Sequence, residues 1–483
     1  MRRGVVGAAS LIATALIAAA CGGTQAIGTG ASDLVPASAP VYIQIDTDPG
    51  SSQWQTVNDL AGRFPSKQKA VDTIKKELRQ EGGLDWNDDV KPALGKELDF
   101  VWLDFRNGGT DAVALTQPSD DQKFAEVIKK GNAHDTSTQL VYEKFEGWEV
   151  ISDSRSKIDR FEQESKNAQK TLADDSSFGH AVDKLGDAVV RAYVSGPPLM
   201  GEALNAAGPN GRPFIRKIGR LDWIGAGLGV NADGVRLDVI AHGAAGKLFK
   251  GIHIPTYTSQ LTHTAPADTL AYLTFHGTPL LLGGLKSPVL GAPQFGSVRG
   301  ILRQVGKLIQ GENALYVRPA PSGRIPEVTL VTEPDPSVDG ARTLDRLVRR
   351  YRGDLGVTPR RTTIAGLPAR TLGFGEFSIR YADVGKNLVV SDLPRGIETV
   401  VNGGKTLAHS DTYRDAVDSA RMPSKTQGYL YVNIHSTIPV VERLSHARVP
   451  SQVRRNLAPL RSALEYSVAR SHEIEISFFL RIR

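Results

Sequence analysis

"PASAPVYIQID", residues Pro36 to Asp46, and "PADTLAYLTFH", residues Pro266 to His276, lie 230 residues apart and share one pattern. Pro36, Ala37 and Tyr42 match Pro266, Ala267 and Tyr272 at a constant offset, and Val41, Ile43 and Ile45 fall on Ala271, Leu273 and Phe275. In both, apolar residues recur at every second position, the period of a β-strand. An echo at this distance predicts a body built twice over.

The echo continues in the same order along the chain. Gly95 and Pro118 match Gly311 and Pro334, "YEKFEGWEVISD" from Tyr142 parallels "YADVGKNLVVSD" from Tyr381, and "LADDSSFGHAVDKL" from Leu172 parallels "LAHSDTYRDAVDSA" from Leu407. The last pair sets Ala181, Val182 and Asp183 on Ala416, Val417 and Asp418. Each copy reads as strand, helical region, two or more strands, helix, strands, helix and a closing pair of strands. The first closing pair, "LDWIGAGLGVNADGVRLDVIAHG", turns at Asp233-Gly234, a typical hairpin dipeptide. Helical spacing groups Val71, Ile74 and Leu78, then Phe124, Val127 and Ile128, then Leu344, Leu347 and Val348. Hairpin-linked strands with helices between them predict an α+β fold: two homologous copies of a mostly antiparallel sheet with packed helices, spanning 33–245 and 246–483.

Upstream of the first copy stands the single cysteine, Cys21. Arg2 and Arg3 precede an uncharged run from Val5 to Ala20 that closes on Ala18, Ala19 and Ala20, the plan of a signal peptide over residues 1–20. The run is short for a spanning helix, which needs about 20 apolar residues. These alanines and Cys21 resemble the lipobox of bacterial lipoproteins, with Ala18 standing where that box usually has Leu. The resemblance implies lipid attachment at Cys21: the thiol receives diacylglycerol, and the protein is anchored to the outer face of the cytoplasmic membrane as an exported, extracytoplasmic chain. Two arginines fit both general secretory and twin-arginine export. Residues 21–32, with "GGTQAIGTGAS" after the cysteine, read as a tether able to extend roughly 35 Å at about 3.3 Å per residue.

The strands after Pro36 and Pro266, with "GLDWNDDVKPALGKELDFVWLDF" from Gly83, resemble a family of membrane-tethered bacterial proteins, chiefly actinobacterial, known only as a domain of unknown function. The resemblance implies an anchored, extracytoplasmic α+β protein and brings no catalytic residue with it. The second copy departs from the pattern, keeping Gly311 without the proline.

Charge divides the copies. Residues 21–240 have 25 basic and 33 acidic side chains, a net of −8, whereas 241–483 have 31 and 19, a net of +12. Three readings stay open: half docks on half, the positive half faces anionic lipid headgroups, or these are solvated faces that diverged. Arg349, Arg350, Arg352, Arg360 and Arg361 form the densest basic stretch. Nucleic acid is not an expected partner, since export removes it and no aromatics interleave with the arginines.

Catalytic signatures do not assemble. "GIETVVNGGKT" ends like a phosphate loop, but Thr399 occupies the place of its first glycine, so the stretch reads as a helix C-cap. "GAGLG" from Gly225 lies in a hairpin, and "DTDPGS" from Asp46 reads as a strand-ending turn. His242, His253, His263 and His276 are the nearest histidines in sequence and show no metal-ligand spacing. Tyr42 and Tyr272 either line a ligand site or are half-buried strand residues. No cofactor, metal or catalytic residue is expected. The expected role is non-enzymatic binding or scaffolding at the cell envelope, with the membrane, through acylated Cys21, and an envelope protein or lipid ligand as partners. The alternatives are a carrier holding lipid or another apolar ligand in a sheet–helix cavity, and a hydrolase with a non-local catalytic constellation.

Overall fold

The computed structural model describes residues 30–106, 109–135, 139–243, 255–277, 304–320, 325–351, 353, 356–445 and 449–483. The signal segment, Cys21, most of the tether, His253 and Arg352 lie outside these residues. Among the described residues no helix is long and apolar enough to cross a membrane. The chain divides into two compact units, one up to Leu248 and one from Phe249.

The first unit contains β1 (Val41–Asp46), α1 (Ser52–Gly62), α2 (Lys67–Gly82), β2 (Glu97–Trp102), β3 (Ala112–Thr116), α3 (Asp121–His134), β4 (Val141–Phe145), β5 (Trp148–Ser152), α4 (Arg155–Asn167), α5 (Ser176–Leu185), β6 (Val190–Ser195), α6 (Gly196–Ala206), α7 (Gly208–Ile218), β7 (Leu221–Asn231) and β8 (Gly234–Gly243). Its strands pair antiparallel in the order β4-β5-β3-β2-β1-β6-β7-β8. The sequence reading missed β6 and the two helices that follow it, because "VRAYVS" runs directly into the Gly196-Pro-Pro start of α6.

The second unit contains β9 (Ala271–His276), β10 (Glu312–Arg318), β11 (Glu327–Thr332), α8 (Gly340–Arg350), β12 (Arg360–Ile364), β13 (Leu367–Phe374), β14 (Phe377–Val384), β15 (Asn387–Ser391), α9 (Pro394–Asn402), α10 (Asp411–Ser419), β16 (Gly428–Val432), α11 (Ile434–Ser445), α12 (Ser451–Leu457), β17 (Leu460–Ala469) and β18 (Glu473–Ile482). Its order is β12-β13-β14-β15-β11-β10-β9-β16-β17-β18, again antiparallel throughout. Strand by strand this repeats the first order, with β12 and β13 added at one end.

Helix starts follow local chemistry. Asp120 accepts from the N–H groups of Gln122 and Lys123 at α3, Asp175 from Ser177 and Phe178 at α5, and Asp339 from Arg342 at α8. Each supplies an acceptor that the first helical turn lacks. The repeated sequence landmarks also turn out to be partners. Ala37 N–H donates to Lys170 O and Leu172 N–H to Val35 O; Ala267 donates to Lys405 O and Leu407 to Ala265 O, at 2.7–3.1 Å. The Pro-Ala segment before the first strand is thus laced to the Leu-Ala segment before a helix in both units.

One sequence alignment needs correction. Glu97 lies opposite Asp46 and Glu312 opposite His276, so register places Gly311 level with Lys96 and not Gly95. Pro118 and Pro334 keep their match.

The largest buried cluster of each unit lies on one sheet face, with smaller ones under α3 and α8. In the first, Ile158 and Phe161 of α4 and Phe178, Ala181 and Leu185 of α5 cover Tyr42, Val101, Leu115, Val150 and Tyr193. In the second, Ile397 of α9 and Tyr413 and Ala416 of α10 cover Tyr272, Tyr316, Tyr429 and Tyr431.

Candidate functional site

Alternation along a strand ordinarily sends apolar side chains into the core and polar ones to water. Here the first strand of each unit does the reverse. On β1, Tyr42 and Asp46 are buried and Gln44 lies beside them, while Val41, Ile43 and Ile45 are only partly covered. On β9, Tyr272 and Thr274 are buried at 0% and 1% exposure, whereas Leu273 is 36% exposed. On β18, Ser477 is buried at 0% while its neighbours Ile476 and Phe478 stand 46% and 39% exposed.

The outward face of the first unit is an apolar lattice. Directly opposed residues run Phe100, Ile43, Ala192, Ala226, Val239 across β2-β1-β6-β7-β8. The rows on either side are Trp102, Val41, Val194, Ile224, Ala241 and Leu98, Ile45, Val190, Leu228, Leu237. Helix α3 covers only the far end of this face, where Phe124 and Ile128 pack on Ile151. In the second unit the central row is Val390, Leu330, Leu315, Leu273, Leu430, Glu465, Phe478 across seven strands. Helix α8 covers the end that carries Val390, leaving Leu430, Ile476 and Phe478 in the open part. In the first unit Leu228 and Leu237 are each 39% exposed, and the rest of its rows are partly covered or buried.

Glu465 interrupts the second lattice. It alternates outward with Ala463 and Ser467, and burial alone pushes its carboxyl above the usual glutamate range. Among the described residues no hydrogen bond or ion pair reaches that carboxylate.

The inward positions hold the polar groups. In the first unit Tyr42 Oη donates to Asp99 Oδ1 at 2.8 Å, Gln44 Nε2 to Glu97 Oε2 at 2.7 Å, and Arg191 Nη1 to Gln44 Oε1 at 3.2 Å. Burial pushes the Asp99 carboxyl well above the carboxylate range and raises Glu97 and Asp46. In the second unit Glu312 accepts from Ser259 Oγ at 2.5 Å and from the backbone N–H groups of Gln260 and Leu261, while Tyr413 and Tyr429 hydroxyls meet at 2.7 Å. These networks fix the sheets. Tyr42 and Tyr272 belong to them: both point into the helix-covered core, are fully buried and line no open surface.

The other sequence candidates fall as follows. Gly403 takes φ +69° at the end of α9, so "GGKT" caps a helix. "GAGLG" lies within β7, and Ser51 after "DTDPG" caps α1 through its hydroxyl. Among the described residues no group of three or more His, Cys, Asp or Glu is arranged to hold a metal. His263 meets His409 at 5.9 Å. His242 stacks on Trp223 at 5.2 Å and meets His180 of α5 at 5.3 Å, beside a groove of about 550 Å³ lined by Ser176, Gly179, His180, Asp183 and Lys184. Sequence reading missed this cluster, because only the α5–β7 packing joins residues so far apart. Arg349, Arg350, Arg360 and Arg361 are exposed.

A family model of proteins of unknown function, DUF3352, matches residues 4–280. A solved structure described as "Structure of crystal form IV of TP0453" aligns with 13% identity and a TM-score of 0.26, covering 44% of this chain and 76% of that one. No curated protein matches the sequence. The match over more than half of its length makes the chain a member of DUF3352, a family of proteins of unknown function.

Proposed function

We propose that this is a lipid-anchored, non-enzymatic binding protein of the cell envelope, exported and held at the outer face of the membrane by acylated Cys21. It consists of two copies of one α+β module, and the open sheet faces receive the apolar part of a lipid. The observation that carries this reading is the inverted alternation, in which polar groups are buried and networked while apolar rows are left partly covered in each unit, the second interrupted by Glu465. Hydrophobic attraction is worth about 25 cal/mol per Å² of apolar surface removed from water, so an acyl chain laid on such a lattice gains several kcal/mol. The shared strand order and the shared lacing of the Pro-Ala and Leu-Ala segments support duplication.

Mass spectrometry of the full chain purified from its membrane tests both parts. Residue 21 is expected at the amino terminus with a diacylglyceryl mass, and lipid is expected to co-purify. Binding of a fluorescent fatty acid is expected to fall about tenfold on Ala192→Arg or Leu430→Arg, each of which sets a charge on a lattice. An unmodified thiol behind an uncut leader overturns the anchor; fatty-acid binding that ignores both arginines overturns the binding face.

A further inference from the structure

The strands β12 and β13, which the first unit lacks among its described residues, carry a surface of a different kind. β13 and β14 form a hairpin whose turn, Gly375-Glu376, sets Phe374 opposite Phe377 with ring centroids 6.4 Å apart. Gly375 adopts φ +66°, which lets the two-residue turn close. Phe374 and Phe377 are 38% and 48% exposed. Two large aromatics at a hairpin tip contribute nothing to the core and cost solubility.

The turn itself carries one exposed acid, Glu376, and basic side chains stand behind the tip. Arg360 lies opposite Thr371 and Arg361 opposite Arg370, so they stand three and four residues, roughly 10 and 13 Å, from Phe374 at about 3.3 Å per residue. Phe374 and Arg370 are two alternations apart, so Arg361, Arg370 and the aromatic pair share one face, while Arg360 projects from the other. Arg370 is held to Asp345 of α8 at 3.6 Å, which places the end of α8, with Arg350 exposed, on the aromatic side. Among the described residues neither Arg360 nor Arg361 has a hydrogen-bond or ion-pair partner. They project from the half of the sequence whose net charge is +12.

We propose that the β13–β14 tip and the arginines of β12 form a docking surface for an anionic lipid bilayer. Aromatic rings favour the headgroup boundary, and basic side chains near an anionic leaflet add attraction that decays within a Debye length. A protein partner would require a shaped recess or paired hydrogen-bonding groups around the aromatics; an exposed aromatic tip backed by two unpaired guanidiniums, Arg361 on its own face and Arg360 on the other, matches a fluid negative surface. The proposal is independent of acylation at Cys21 and of the apolar lattices.

The single cysteine of the chain makes the test direct. In the full chain carrying Cys21→Ser, an environment-sensitive dye is attached at Glu376→Cys, or at Asp233→Cys in the β7–β8 turn as control. With vesicles rich in phosphatidylglycerol, the dye at 376 is expected to shift to the blue and to be quenched by spin-labelled lipid, and the dye at 233 to stay in water. The signal is expected to vanish with phosphatidylcholine alone, to fall roughly fivefold for each of Arg360→Gln and Arg361→Gln, and to be lost in Phe374→Ser/Phe377→Ser. A dye at 376 that stays in water on anionic vesicles overturns the proposal, as does equal response on neutral ones or at 233. The side chains substituted at 233, 360, 361, 374, 376 and 377 are exposed, so these variants keep the fold.

Discussion

Set side by side, the two units place different chemistry on the same sheet positions. Where the first has Gln44, Asp99 and Arg191, register gives the second Thr274, Ala314 and Tyr429. The first interior is a charged network of Glu97, Asp99 and Arg191 with Tyr42 and Gln44; at the matching positions the second has chiefly hydroxyls, with Glu312 served by Ser259 and two backbone N–H groups, and it buries its own ion pair, Arg318 with Glu327, further along β10 and β11. A buried ion is costly unless every lone pair is served, whereas a hydroxyl needs one partner. The comparison shows that this strand order tolerates either solution, and that each unit keeps a carboxyl raised by burial, Asp99 inside the first and Asp383, up at about 6, in the second.

The largest effect separates the units through one hydroxyl. Tyr42→Phe removes the only hydrogen bond to Asp99 among the described residues, leaving a buried carboxyl with none. A loss of about 2–3 kcal/mol is expected, limited by the ability of that carboxyl to take a proton. Tyr272→Phe loses a 3.1 Å contact to Ser259, which still donates to Glu312, so about 1 kcal/mol is expected. Urea unfolding of both variants checks the ranking; equal losses would break the distinction between the two interiors.

Asp99→Asn keeps the acceptor for Tyr42 and removes the charge. Because burial raises the Asp99 carboxyl in the folded state, its favourable contribution is complete below the unfolded carboxylate value and is lost as pH rises through the folded one. The variant is therefore expected to be about 1–2 kcal/mol more stable than the parent at pH 7 and to lose that advantage towards pH 4. Thermal melts across this range check it, and a variant less stable at pH 7 would show that the carboxylate is served by a partner. On the second side the corresponding hydroxyls respond only in alkali: burial holds Tyr413 up at about 12.

Much of this was legible from the residues. Alternation in "VYIQID" and "AYLTFH", the Asp233-Gly234 turn and the cap at Gly403 are local, and local chemistry decides them. Period two states that Tyr42 and Ile43 face opposite ways; it does not state which way is in. That depends on α5 and α10, whose Phe178 and Tyr413 pack over the tyrosines and not over the isoleucine and leucine rows. The open lattice was hidden for this reason, although Asp46 and Gln44 alternating with three aliphatics is the visible trace of it. β6, the His180–His242 contact and the seating of Arg370 on Asp345 depend on residues brought together from distant parts of the chain.

The smallest expected effect sharpens the comparison on the outward faces. The central row ends Ala192, Ala226, Val239 in the first unit and Leu430, Glu465, Phe478 in the second, so Ala226 and Glu465 occupy one position. Burial against those neighbours raises the Glu465 carboxyl, and a raised carboxyl destabilises the fold above its folded value and is neutral in effect below the unfolded one. Glu465 is only half-buried, so water screens most of that cost. Glu465→Gln is expected to add about 0.5 kcal/mol at pH 7 and nothing at pH 4. Ala226→Glu, the reverse exchange, is expected to cost the first unit a similar amount with the same pH dependence. If chemical denaturation shows Ala226→Glu without any pH-dependent cost, the first lattice is wetter than its row of aliphatics implies. A matched pair of opposite slopes would instead establish that the two faces offer the same environment, and that Glu465 alone distinguishes them at this position.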